Sequence, residues 1–115
     1  MRAAPVLLSA LLAAACSHEC HDLAESYDQA LRAAQACDPA AATSCDRSIP
    51  GALDEPVCPA WVDAAREPAL DEIVSSYAAA SCQQAAPPAC APSVGRCERL
   101  DDGSGRCVAH APGQR

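Results

Sequence analysis

Phenylalanine, lysine and asparagine are absent from this sequence, and Trp61, Tyr27 and Tyr77 are its only aromatic residues. A core without Phe has to be built from small side chains, and each of those buries little area. The lack of Lys leaves 8 Arg against 15 acids and a net charge of −7. That balance excludes unspecific nucleic-acid binding, which needs clustered cations to meet phosphates. No two cysteines stand as C-x-x-C, which removes paired zinc ribbons and thioredoxin-like redox sites. There is no G-x-S-x-G and no phosphate-binding glycine loop. No apolar run reaches the about 20 residues of a membrane-spanning helix.

What the sequence does hold is alanine, 28 residues of it, with 10 Pro and 9 Cys in a chain of 115. That length makes one domain. So many cysteines in so small a chain point to an exported domain in which disulfides replace a large core.

The N-terminus begins with Met1-Arg2, followed by Ala3 to Ala15, an apolar stretch broken only by Pro5 and Ser9. A charged start, a short apolar middle and small residues at the end make a signal peptide. The stretch Leu11-Leu12-Ala13-Ala14-Ala15-Cys16 resembles a bacterial lipoprotein signal. In that family the Cys receives diacylglycerol and becomes the mature N-terminus. Ala13 stands where the family usually has Leu, and Leu12 lies one position further back. The resemblance implies lipidation of Cys16, and Ser17 in place of Asp after it implies delivery to the outer membrane. Ordinary cleavage after Ala13-Ala14-Ala15 fits the same residues and would release an unlipidated protein. Cysteine parity favours the lipid. Without Cys16 an even set remains for disulfides: Cys20, Cys37, Cys45, Cys58, Cys82, Cys90, Cys97 and Cys107. The expected organisation is a signal peptide over 1–15 and one cysteine-rich domain over 16–115.

Within that domain, Cys20, Leu23, Ala24, Tyr27, Ala30, Leu31 and Ala34 recur at spacings of three and four. They predict an amphipathic helix over about 19–36, with Ser17 as N-cap and Asp38-Pro39 as its stop. Cys20 and Cys37 then lie about 25 Å apart and cannot pair. Residues 39–59, with Pro39, Pro50, Pro56 and Pro59, read as loop. Trp61, Val62 and Ala65 predict a short turn. A second helix starts at Pro68 and runs to about Ser81, with Leu70, Ile73, Val74 and Tyr77 as its buried stripe. Near the C-terminus, 94–100 and 104–110 flank Asp101-Asp102-Gly103, which predicts a hairpin with Gly in the left-handed conformation. Its register sets Glu98 opposite Arg106 and Cys97 opposite Cys107, and suggests a Cys97–Cys107 disulfide. In the rival arrangement both cysteines face the core and bond Cys82 and Cys90. Eight cysteines allow 105 pairings, and spacing does not choose among them. The fold class expected is small, disulfide-rich and mainly α: two amphipathic helices, proline-rich loops and a short C-terminal β-hairpin.

Chemistry is sparse. Cys16-Ser17-His18-Glu19-Cys20-His21 is one residue too long for a C-x-x-C-H haem attachment motif. His18, His21 and Glu25 share a helix face and could meet a metal, but exposed His and Glu on a solvated face is the ordinary case. Asp54-Glu55, Asp71-Glu72 and Asp101-Asp102 each have a reason to be acidic in a loop, a helix first turn or a tight turn. Trp61 reads as a core anchor beside Cys58. No catalytic, cofactor-binding or metal-binding residue is assigned.

The Ala15-Cys16 junction, the helix ending at Cys37, Cys58-Pro59, and the helix ending in Tyr77 and Cys82 suggest one loose group of proteins, although each feature is of low specificity. So do Gly95-Arg96-Cys97-Glu98 and Gly105-Arg106-Cys107-Val108. Together they make the chain similar to the small alanine- and cysteine-rich predicted bacterial lipoproteins. That group has no biochemical activity to carry over, so the resemblance implies location and fold type alone. The function expected is that of a non-enzymatic envelope lipoprotein, a structural or binding module without a cofactor, held to the membrane by its N-terminal lipid. The alternative is a secreted, unlipidated inhibitor or effector.

Overall fold

The computed structural model describes residues 4–41 and 44–113, with side chains from His18 onward. The elements in order are α1 (Ala4–Ala34), β1 (Ala36–Cys37), β2 (Arg47–Ile49), β3 (Ala60–Val62), a 3-10 turn (Ala64–Arg66), α2 (Glu67–Ala79), β4 (Val94–Arg99) and β5 (Gly105–His110). Two small antiparallel sheets accompany the helices, one ordered β1-β5-β4 and the other β2-β3. The domain is therefore mixed α/β, where the sequence suggested mainly α. Among the described residues no helix is long and apolar enough to cross a membrane.

The predicted helical stripes are the ones that bury. On α1, Ala24, Tyr27, Leu31 and Ala34 are buried, with Cys20, Leu23 and Ala30 packed against them. On α2, Leu70 and Tyr77 are buried and Ile73 and Val74 lie against the same cluster. The helices run antiparallel. Cys20 is bonded to Cys82, just past the end of α2, while Ala30 and Ala34 meet Ala69 and Leu70 at its start. Leu53, Val62 and Ile49 close the core from the loop and the second sheet.

Three boundaries differ from expectation. The first helix does not start at Ser17 but is continuous from Ala4, so Ser17 caps nothing in the full chain. The same helix ends before Ala36, because Ala36 and Cys37 pair with Arg106 and Gly105 of β5, and the Cys107 N–H donates to the Gln35 carbonyl at 2.7 Å. Strand pairing from far along the chain outweighs the local helical pattern there. Residues 60–62 form a strand instead of a turn, paired with Arg47–Ile49 inside the segment expected to be all loop.

α2 ends in a Schellman motif: the Cys82 N–H donates to the Tyr77 carbonyl and the Ser81 N–H to the Ala78 carbonyl, both at 3.0 Å. Ser81 takes the left-handed position at φ 60° that Gly usually fills. That turn aims Cys82 back at Cys20.

The C-terminal hairpin has the predicted register, with Cys97 opposite Cys107, Glu98 opposite Arg106, and Gly103 at φ 87°. Its disulfides are not the expected one. Cys97 bonds Cys37, and Cys107 bonds Cys45; neither reaches Cys82 or Cys90. Both side chains point to the inner face of the sheet, where β1 and the loop after it bring a separate cysteine under each. Gly105 makes room, because a Cβ there would collide with Cys97 Sγ and the Cys37 carbonyl. With Cys20–Cys82 and Cys58–Cys90, all eight cysteines from Cys20 on are paired. Four disulfides in one small domain are those of a protein oxidised outside the cytoplasm.

Candidate functional site

The second sheet and the loops around it enclose a cleft made of two adjoining cavities. One, of about 240 Å³, lies among Ile49, Pro50, Val57, Gln84 and Pro87. The other, of about 450 Å³, lies among Trp61, Cys58, Cys90, Pro92 and Ala109. Ser48 and Pro59 belong to both and form the ridge between them. Neither lining holds an ionisable side chain, although the chain as a whole carries −7.

The floor is fixed by a few specific contacts. Tyr27, fully buried on α1, donates its hydroxyl to the Pro50 carbonyl. Its phenol is pushed well above the usual range, first by burial and then by the nearby carboxylates of Asp71 and Asp28. The Ala85 N–H donates to the Leu53 carbonyl at 2.9 Å, which joins the two walls of the smaller cavity. Trp61 spans the other end. Its indole lies across Gly95, where any Cβ would strike it, and its Nε1–H donates to Ser93 Oγ at 3.2 Å. Trp61 is thus half-buried, a wall of the cleft rather than part of the central core.

Beneath this sheet, Cys45 sits at φ 56°, a backbone conformation that costs an L-residue about 1 kcal/mol or more. Its N–H donates to Asp63 Oδ1 at 2.5 Å, and its Sγ is bonded to Cys107. The sulfurs of Cys37, Cys45 and Cys97 lie within 4.8 Å of one another, so two disulfides stack where the sheets meet. In this state the sulfurs bond each other and are not thiolate ligands.

The remaining residues singled out in the sequence are dispersed. Cys16 and the stretch expected to be a signal peptide lie outside the residues whose side chains are described. His18 and Asp22 are 4.0 Å apart, and His21 and Glu25 are 3.6 Å apart. These are two separate exposed pairs one helical turn long, not a joint metal cluster. Asp54, Glu55, Asp71 and Glu72 are exposed. Asp102 Oδ1 accepts the Ser104 hydroxyl and N–H, which holds its carboxyl below the usual range and closes the hairpin turn. Glu98 lies opposite Arg106 but sits 3.5 Å from His110 Nε2, while Arg106 donates to Gln35 Oε1 at 3.4 Å. The cleft itself was not signalled in the sequence. Its prolines come from the 39–59 segment that reads as loop and from the stretch after α2, and only the fold brings them together.

No known protein family, curated protein or solved structure matches the chain.

Proposed function

We propose that the chain is the precursor of a non-enzymatic cell-envelope lipoprotein, anchored by a diacylglycerol on Cys16 and presenting residues 16–115 as a disulfide-stapled binding module. The observation that carries this reading is the cysteine account. Every cysteine from Cys20 to Cys107 has a partner among the others. Cys16 is left over, directly after Leu11-Leu12-Ala13-Ala14-Ala15. On this reading the helix ahead of Cys16 is removed, and Ser17 becomes the residue preceding the exposed acids Glu19 and Asp22. Those charges favour the new helix N-terminus. The domain then sits against the membrane with little tether, since residue 20 is already stapled to residue 82.

The cleft supports binding over turnover. Its lining is mostly proline and alanine with one indole; its polar side chains are Ser48, Ser93 and Gln84, and it holds no acid or base to activate either hydroxyl or to move a proton. Concave, apolar and uncharged, it suits an apolar ligand or side chain.

Intact mass of the protein purified from membranes, before and after reduction with alkylation, tests the anchor. The expected result is a mature N-terminus of diacylated Cys16, with eight further cysteines alkylated only after reduction. An unacylated N-terminus released into the medium would establish the secreted inhibitor or effector in its place.

A further inference from the structure

The four disulfides are not equivalent. Cys45–Cys107 is buried, and the cysteines of Cys20–Cys82 and Cys37–Cys97 are half-buried between elements of the fold. Cys58 alone among the eight is exposed, and its bond to Cys90 lines the larger cavity of the cleft. We propose that the Cys58–Cys90 disulfide is a thiol-exchange site: an incoming small thiol is captured as a mixed disulfide on Cys58, and Cys90 and the cleft wall that carries it are released.

The two ends of this bond are held very differently. Cys58 is packed against Gly51, where its carbonyl and the neighbouring Val57 lie so close that a Cβ would collide with both. It is followed within two residues by β3. Cys90 belongs to the stretch 83–93, which has neither helix nor strand. That stretch is tied by Ala85 to Leu53 at one end and by Ser93 to Trp61 at the other. Between those ties stand Pro87, Pro88 and Pro92, which have no N–H to donate. Among the described hydrogen bonds, no backbone N–H of residues 86–92 is anchored to the rest of the fold. The disulfide is what holds this wall in place.

Exposed disulfides are the ones that exchange, and here the exposed cysteine is on the packed side. The thiolate attacks Cys58 Sγ. A sulfur–sulfur bond forms between the thiol and Cys58, the Cys58–Cys90 bond breaks, and its electron pair leaves on Cys90 Sγ, which takes a proton from water. No other oxidant or reductant is needed. The cavity has the volume of a small-molecule site. Its uncharged lining within an acidic domain favours a neutral or cationic thiol over an anionic one.

The test uses the folded, oxidised protein and cysteamine as the probe. Free thiols are trapped with iodoacetamide over time, and peptides are mapped without reduction. The expected first product carries cysteamine on Cys58 and an alkyl group on Cys90, with the other three disulfides intact. It should form at least about tenfold ahead of any other opening. Protease cleavage within 86–92 should accelerate in this product. Opening of another disulfide first, simultaneous loss of all four, or unchanged cleavage of 86–92 would each overturn the proposal. A Cys58→Ala/Cys90→Ala variant should keep the parent circular dichroism and take up no cysteamine over the same interval. An unfolded variant would show instead that the bond belongs to the core, and would equally overturn it.

Discussion

The buried disulfide offers the sharpest test of how this domain holds together. Cys45 and Cys107 are 0% and 1% exposed, and 62 residues separate them. A lone cross-link over that distance would stabilise the fold by about 4 kcal/mol through the unfolded chain. Here the neighbouring Cys37–Cys97 bond shortens the path. Through it, the chain from Cys45 to Cys107 is about 18 residues, and the same relation gives about 3 kcal/mol. Removing two buried sulfurs from a packed interior adds about 1–2 kcal/mol for the space left behind. Cys45→Ala/Cys107→Ala should therefore cost about 4–5 kcal/mol, against a total of about 5–15 kcal/mol for a domain of this size. Urea unfolding followed by far-ultraviolet circular dichroism measures it, with the three remaining disulfides verified by peptide mapping. A loss below about 1 kcal/mol would refute the reasoning, because both the chain constraint and the burial would then be worthless.

Three other outcomes follow from single positions. Ser81→Gly relieves a left-handed residue in the Schellman turn and should stabilise by about 0.5–1 kcal/mol; a thermal midpoint unchanged or lowered would contradict this. Gly105→Ala drives a Cβ into Cys97 Sγ and the Cys37 carbonyl and should destabilise by about 1–3 kcal/mol, whereas an unmoved urea midpoint would mean the strands can separate freely. Tyr27 is held neutral by burial and by Asp71 and Asp28, so its folded-state pKa is raised above that of the unfolded chain. Its contribution is complete below the ordinary phenol pKa of about 10 and is lost as pH climbs beyond it. In an alkaline titration read by tyrosinate absorbance, Tyr27 should ionise together with unfolding; ionisation in a fully folded domain would rule this out.

Much of the architecture could be read from residue spacing because local rules govern it. The stripes through Tyr27 and Leu31, and through Leu70 and Tyr77, obey helical periodicity, and the Asp101-Asp102-Gly103 turn fixes the hairpin register. The strands at Ala36–Cys37, Arg47–Ile49 and Ala60–Val62 are two or three residues long, too short for any alternation to show. They exist because partners distant in sequence pair with them. The disulfide map failed for a related reason. Cys97 and Cys107 do stand opposite each other, but which sulfur each one meets depends on β1 and the loop at Cys45, whose positions are tertiary facts. Trp61 shows the same limit: the sequence marks it as an anchor, while only the close approach of Gly95 reveals that it walls a cleft.

The order of the cysteines has a consequence for how the chain is made. Cys20, Cys37, Cys45 and Cys58 each bond a cysteine from the second half, Cys82, Cys97, Cys107 and Cys90 respectively. A chain threaded N-terminus first through a membrane therefore exposes four thiols to an oxidising space before the first correct partner arrives. Any bond formed in that interval is a wrong one. Correct oxidation has to wait for nearly complete export or be repaired by isomerisation afterwards, so the yield of this protein should depend on a disulfide isomerase in addition to the oxidant that forms the bonds.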